Sequence, residues 1–301
     1  CLAGILSLGM GTTVFAEDGD SHYPVTITTY NYENEPVEMT FEKAPEKVFA
    51  YANSNVEELL ALGLGDKIVA ACGLDGDVRE DLKDEFDKIQ YMDTKPSKEE
   101  VVAMEPDFIA AWYSSFSDDW LSDVSFWQER DVNTYMSLNS AAKGPASEFP
   151  RTIEDEYEDI LNLGKIFDCE DKAEEIVDQM KGEIDKVKEH VEGTDPLSVA
   201  VLEDEGDSFR VYGTETLGAE LKLGAENSEN VGAEDLIAAD PDVLFMINYD
   251  GFMTADEAIA DITDNPAYAS LSAVKNNKVF SVNLNEVYCS GVRTYDGIMT
   301  F

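Results

Sequence analysis

Basic residues are scarce in this chain. Lysine and arginine total 21 against 64 aspartates and glutamates, a formal net charge of −43. A nucleic-acid binder needs a basic footprint, so that class is argued against. Attraction to an anionic membrane through basic clusters is argued against on the same ground. The acidity itself reads as a solvated, self-repelling surface that aids solubility and says nothing about the fold. Histidine occurs only at His22 and His190. A site for bare zinc or manganese would draw on several histidines and carboxylates, so no metal centre and no cofactor are expected. Cysteine is limited to Cys1, Cys72, Cys169 and Cys289. Without Cys1 the count is odd and the spacing wide, which suits neither a disulfide framework nor a zinc knuckle. Free structural thiols are expected, with one bridge as the alternative. There is no GxSxG elbow, phosphate-cradling glycine loop, HExxH or spaced Cys–His pair, so no enzyme is expected. Carboxylates are plentiful, but sequence shows no pair placed across a cleft, and a secreted carbohydrate-active enzyme is only a distant alternative.

Long apolar runs are also missing. Leu2–Phe15 is too short to span a bilayer. It ends in Val14-Phe15-Ala16, a small-x-small pattern for secretory cleavage after Ala16, and an acidic linker follows over 17–22. Residues 1–16 therefore read as part of a signal peptide, and the chain as exported and extracytoplasmic, cell-surface or periplasmic. A lipidated Cys1 is the other reading, disfavoured by the hydrophobic residues that follow it.

Past the linker, Tyr23–Thr29 and Val37–Phe41 alternate like a hairpin of edge strands. Lys47–Ala52 reads as a buried strand. Ser54 with Glu57 three residues on reads as a capping box opening a helix, and Ile68–Ala71 as the next strand. This rhythm predicts an α/β lobe with parallel pairing. Ile153–Phe167 and Asp171–Val191 carry apolar residues at i, i+3, i+4 and i+7, the mark of two long amphipathic helices. They are expected to form a stiff spine between lobes. A second lobe is expected from near Pro196, with strands at Leu197–Leu202, Val243–Ile247 and Val279–Val282. A helix is expected at Glu215–Leu223, and a final one from Val292 that the chain's end cuts short.

The most informative feature is an internal echo. Residues 99–112 read EEVVAMEPDFIAAW and residues 234–247 read EDLIAADPDVLFMI. Each begins with an acidic residue opening a short helix, reaches Pro-Asp seven residues later, and continues as an apolar strand. Proline cannot continue a helix, so it punctuates the same corner twice. Two similar lobes follow: residues 23–152 and 193–301, joined by helices over 153–192.

The run PEKVFAYANSNVEELLALGLGDKIVA (45–70), the two Pro-Asp echoes, NPAYASLSAVKNNKVFSV (265–282) and SGVRTYDGI (290–298) together resemble periplasmic-binding proteins for iron-siderophore, haem and vitamin B12 uptake. The resemblance covers almost the whole chain after the leader. It implies two Rossmann-like lobes bridged by a long α-helix, with the ligand cleft between them. It also implies capture of a ferric siderophore, or of a corrinoid or haem, for an ABC permease, with no catalysis. A monomer is expected, because one face must be presented to the permease. The resemblance further implies one docking glutamate on the outer face of each lobe, at Glu99 and Glu234 by motif position, with Glu100 an adjacent competitor. Two well-separated carboxylates would set orientation on a basic partner. Each would also favour the N-terminus of its own helix.

Ligands in such folds sit at strand ends, between loops of facing lobes. Trp112, Tyr113 and Phe116 follow the first echo with serines between them, and are expected as a cleft wall continuing toward Trp120. Tyr91, in a loop before the first echo, Tyr249 and Phe252 after the second, and Tyr288 before the last helix are further candidates. An anionic chelate would need arginine, whose fork matches paired oxygens. Among Arg79, Arg130, Arg151, Arg210 and Arg293, the first choice is Arg293 and the second Arg79.

Overall fold

The computed structural model describes residues 22–140, 152–195, 197–212, 229–249, 252–288 and 291–301. The leader, Arg151, Pro196, the expected helix at 215–223 and Cys289 lie outside the described residues. The leading strands β1 (Val25–Tyr30) and β2 (Pro36–Phe41) form the expected antiparallel hairpin, with Val25 opposite Phe41.

Two five-stranded sheets follow. The first comprises β3 (Val48–Tyr51), β4 (Ile68–Cys72), β5 (Tyr91–Met92), β6 (Phe108–Ala111) and β7 (Asn133–Met136), in the order β5-β4-β3-β6-β7, all parallel. The second comprises β8 (Val199–Asp204), β9 (Phe209–Val211), β10 (Glu229–Val231), β11 (Val243–Asn248) and β12 (Val279–Asn283), in the order β10-β9-β8-β11-β12. Here β8, β11 and β12 pair in parallel, while β9 alone is reversed, antiparallel to both β8 and β10. Counted within each lobe, both sheets read 3-2-1-4-5. The second sheet is buried on both sides. Leu202, Leu244 and Met246 pack on one face, and Val201, Phe245 and Ile247 on the other.

The internal echo falls on strand four of each lobe, and its Pro-Asp has a physical role. The residue before each proline closes its helix with a left-handed backbone, Glu105 at φ 50° and Asp240 at φ 40°. The following aspartate then holds the start of strand one. Asp107 Oδ1 accepts from the Lys47 amide at 2.8 Å, and Asp242 Oδ2 from the Ser198 amide at 2.9 Å. In return the Asp107 and Asp242 amides each donate to the carbonyl of that same residue at 2.9 Å. The repeated dipeptide thus staples strand four to strand one in both lobes.

The two expected long helices are Ile153–Ile166 and Glu170–Val191. The second is about 33 Å long. Tyr157, Ile160, Leu163 and Ile166 of the first, and Ala173, Val177, Met180 and Ile184 of the second, join the core of the first lobe. The C-terminal segment returns to that core as well. Val292 is buried in it, and Tyr295 and Ile298 pack against it. At its far end Phe301 meets Phe245 of β11 at 4.4 Å, so residues 291–301 touch both lobes. Cys72 and Cys169 are free thiols, Cys72 buried at the end of β4.

The capping box expected at Ser54 and Glu57 is not formed. The helix runs Asn53–Ala61 after Ala52, which sits at φ 74°, and no side chain caps it. Ser54 instead accepts the Trp112 indole N–H at 3.1 Å, and Glu57 is bound by arginine.

Candidate functional site

The order 3-2-1-4-5 creates a switch point in each lobe, at the carboxyl ends of strands one and four, where α/β folds bind ligands. Trp112 follows β6 and Tyr249 follows β11, so each stands just past strand four of its lobe. A cleft of about 1000 Å³ lies between the lobes. Its first-lobe wall is the loop Leu74–Val78 with Phe86 and Tyr91. Its second-lobe wall is Glu203, Arg210 and Tyr212 from the β8–β9 hairpin, with Tyr249, Phe252, Leu284 and Tyr288 from loops after β11 and β12.

Aromatic rings run from lobe to lobe behind this cleft. Trp120 meets Tyr51 at 4.7 Å between centroids, Tyr51 meets Trp112 at 6.1 Å, and Trp112 meets Tyr288 at 6.0 Å. Tyr288 then meets Tyr212 at 6.2 Å. All four contacts are edge-on, the geometry the ring quadrupole favours. Gly73 permits this arrangement, because a Cβ there would lie 2.1 Å from the Tyr51 ring. At the rim, Tyr249 and Phe252 stack at 5.0 Å, and Phe252 is 64% exposed. On the opposite wall, Phe86 packs at 5.5 Å against Tyr91, whose hydroxyl accepts from the Leu74 amide.

Glu203 organises the second-lobe wall. It accepts from the Tyr212 hydroxyl at 2.7 Å and lies 3.9 Å from Arg210. Arg210 is also paired with Glu205. Burial, reinforced by the bond to Glu203, pushes the Tyr212 hydroxyl far up. Tyr249 is raised by burial first and by Glu203 second. Asp75 is open to solvent, yet the two walls displace enough water to raise its pKa.

The structure brings Tyr91, Tyr249, Phe252 and Tyr288 together on the cleft, with Trp112 behind Tyr288. Two of the expected residues lie elsewhere or face inward. Phe116 is fully buried in the first-lobe core, at the end of the tight turn Tyr113–Phe116. Tyr113 is stacked on Tyr32 beside the leading hairpin, at 5.6 Å and 4°. Tyr91 belongs to the edge strand β5 and not to a loop.

The two favoured arginines are committed to the protein itself. Arg293 Nε donates to Glu57 Oε2 at 2.7 Å and its Nη2 to Glu57 Oε1 at 2.5 Å. Nη2 also donates to the Asp77 carbonyl at 2.6 Å. Arg79 makes a two-pronged pair with Asp81 at 2.6 and 2.8 Å and donates to the Val292 carbonyl. Arg293 thus holds the lining loop through the Asp77 carbonyl, and Arg79, the residue after that loop, ties it to the C-terminal segment. Sequence reasoning missed Asp75, Phe86, Glu203 and Tyr212, and treated Arg210 only as one of few arginines. The signal for the hairpin was the alternation of Arg210 and Tyr212, which the pairing of Glu203 with Arg210 completes.

Glu99 and Glu234 are exposed at the starts of helices Lys98–Ala103 and Ala233–Ala239. In each helix the next carboxylate is the one used for capping. Glu100 Oε2 accepts from the Ser97 amide at 2.8 Å and Asp235 Oδ2 from the Gly232 amide at 3.0 Å. Among the described residues neither Glu99 nor Glu234 joins an ion pair. Away from the cleft, His22, Asp168 and Glu170 hold three possible ligand atoms within 4.8 Å of one another at the turn between the central helices. His22 Nε2 donates to the Lys165 carbonyl at 2.7 Å.

Two α/β lobes of matching strand order, a helical bridge and an aromatic cleft between the lobes define a solute-binding protein of the clamshell type. Residues 48–283 match the family model described as periplasmic binding protein, and the chain belongs to that family. It is similar to the uncharacterized ABC transporter substrate-binding lipoprotein YvrC of Bacillus subtilis, 25% identical over 309 residues, covering 99% of this chain and 92% of that protein. It is similar to the petrobactin-binding protein YclQ of Bacillus subtilis, 23% identical over 265 residues, covering 83% of this chain and 78% of that one. Among solved structures it resembles a periplasmic binding protein from Veillonella parvula DSM 2008. That likeness has a TM-score of 0.81 and 32% identity, covering 91% of this chain and 89% of that one.

Proposed function

We propose that this chain is an extracytoplasmic solute-binding protein that captures a ferric siderophore or a related metal chelate and delivers it, as a monomer, to an ABC permease. The observation that carries the reading is the cleft of about 1000 Å³ between the lobes, walled by rings from both. That is the size and lining of a site for a bulky organic ligand. The family and the names of the relatives, one a substrate-binding lipoprotein and one a petrobactin binder, support it. Among the described residues no helix is long and apolar enough to cross a membrane.

The test is tryptophan fluorescence of the purified chain, titrated with ferric siderophores, their iron-free forms, ferric citrate, cobinamide, cobalamin and haem. Trp112 lies edge-on to the cleft residue Tyr288 and is positioned to report binding. Saturable quenching at sub-micromolar concentration, a free energy beyond about −8 kcal/mol, is expected for an iron chelate. Silence from the whole panel would remove the chelate from the reading.

The docking role of Glu99 and Glu234 belongs to the same proposal. Each has an exposed apolar neighbour three residues on, Val102 at 38% and Ile237 at 37% exposure, so the two lobes offer like patches. Glu99→Ala with Glu234→Ala is expected to leave chelate affinity within about twofold and to reduce permease-dependent uptake by tenfold or more, about 1.4 kcal/mol. Loss of affinity in the purified variant would place these carboxylates in ligand binding instead.

A further inference from the structure

The charge of the ligand can be read from the cleft, on the reading that a chelate binds there. The described lining carries three carboxylates, Asp75, Glu203 and Asp77, the last within 3.7 Å of Lys83, and a single guanidinium, Arg210. That guanidinium is neutralised where it stands, lying 3.9 Å from Glu203 and paired with Glu205. Arg79 and Arg293, beside the lining loop, are paired with Asp81 and Glu57. An anionic chelate entering this space would thus find an excess of negative charge and no uncommitted arginine among the described residues. Low-dielectric walls concentrate that potential.

Asp75 is the distinctive group. Its amide donates to Asn53 Oδ1 at 2.7 Å, which fixes the loop. Its carboxylate, by contrast, makes no hydrogen bond or ion pair among the described residues. It is near enough to Tyr51 in one lobe and Tyr249 in the other for its charge to raise the pKa of both hydroxyls. A carboxylate left without a cation, at a place flanked by rings from both lobes, matches what an ammonium group requires: one counter-charge and π-faces around it. Tyr91, Tyr249, Phe252 and Tyr288 supply the rings on the same lining.

We infer that the cleft selects a chelate bearing a positive charge, such as a ferric complex with a free amine, and that Asp75 is the residue that recognises this charge. The neutral metal–ligand body lies against the rings, and the amine is held at the Asp75 end of the cleft. Polyanionic complexes are repelled.

The experiment uses one ferric scaffold in three charge states: ferrioxamine B, with its free amine, its N-acetyl derivative, which is neutral, and its N-succinyl derivative, which is anionic. Each is titrated into the full chain, with ferric citrate and a ferric tris-catecholate as anionic comparisons. The expected order is amine, acetyl, succinyl, with at least a tenfold advantage for the amine over the acetyl form that shrinks as sodium chloride is raised. Asp75→Asn is expected to erase that advantage while binding the acetyl form as the parent does. Circular dichroism of this exposed-site variant checks that it is folded. Equal or tighter binding of the succinyl form overturns the inference. So does a preference that survives Asp75→Asn, or binding of ferric citrate or the catecholate when none of the three scaffolds binds. Those results leave the chelate-binding reading standing, whereas no binding by any complex removes that reading and the inference with it.

Discussion

Arg293→Ala is expected to destabilise the protein by about 3–5 kcal/mol, with ligand affinity changing little in whatever fraction remains folded. Glu57 is fully buried, and both its oxygens are held by the Arg293 guanidinium. Removing the guanidinium leaves a charged carboxylate in the core with only the Arg79 amide, at 2.8 Å, to bond it. The Asp77 carbonyl loses its donor in the same step. Because the pair joins the helix Asn53–Ala61 to the returning C-terminal segment, the loss also loosens that segment from the first lobe. Arg293→Lys is expected to recover little, since an ammonium cannot present two parallel N–H groups. Replacing both partners, Glu57→Leu with Arg293→Met, is expected to be less harmful than either single change, because no orphan charge is left. Guanidinium unfolding followed by tryptophan emission suits the measurement, because Trp112, Trp120 and Trp127 all lie in the first lobe. A variant of parental stability but weakened chelate binding would instead make Arg293 a ligand contact.

That residue shows where sequence reasoning stopped. Arginine scarcity drew notice to Arg293, and its place before the last helix put it near the cleft. Its partner lies 236 positions away, however, and an apolar-looking helix face concealed a fully buried glutamate. The echo was more legible because it is local. A helix, a left-handed residue, a proline and a strand-stapling aspartate must follow one another in the chain, so two copies reveal two lobes. The central helices were equally legible, since their 3.6-residue periodicity is sustained over 14 and 22 residues. By contrast, β5 has two residues and β9 and β10 three each, too few for any periodicity to declare itself. Half of the aromatic wall was readable from rings placed after strands. Phe116 failed that logic because a ring just past a strand end can turn either into the cleft or beneath the sheet, and only packing decides.

Stability is expected to fall as pH rises from about 5 to about 8.5, and Glu156→Gln should flatten that decline. Glu58, Glu156 and Asp159 are buried together where the helix Asn53–Ala61 and the first central helix meet the C-terminal segment. Among the described residues no basic side chain bonds any of them. Glu156 Oε2 accepts from the Gly291 amide at 2.8 Å and from Asn139 Nδ2 at 2.5 Å. Asp159 Oδ1 accepts from the Tyr135 hydroxyl at 2.7 Å and the Leu138 amide at 2.9 Å. Among the described residues both oxygens of Glu58 lack a hydrogen-bond partner, and Gly291 passes so close that a Cβ there would lie 2.5 Å from Glu58 Oε1. Burial is the main cause that raises Glu156 to about 8 and Asp159 to about 7, and it holds Glu58 well above the usual carboxylate range. A carboxyl group whose folded pKa exceeds its unfolded value binds its proton more tightly when folded. Its stabilisation is therefore whole below the unfolded pKa, near 4.5 for glutamate, and is withdrawn as pH climbs through the folded value. While the folded state keeps a proton that the unfolded state has lost, each group removes about 1.4 kcal/mol per pH unit. The surface charge of −43 also erodes stability over this range. Guanidinium chloride screens that repulsion, which makes it the denaturant to use. The comparison with Glu156→Gln isolates the buried group, since an amide cannot ionise and the surface is unchanged. Parallel pH profiles for the two proteins would mean that Glu156 is already ionised in the native state. A shallower profile for the variant would locate the proton at the seam that joins the C-terminal segment to the first lobe.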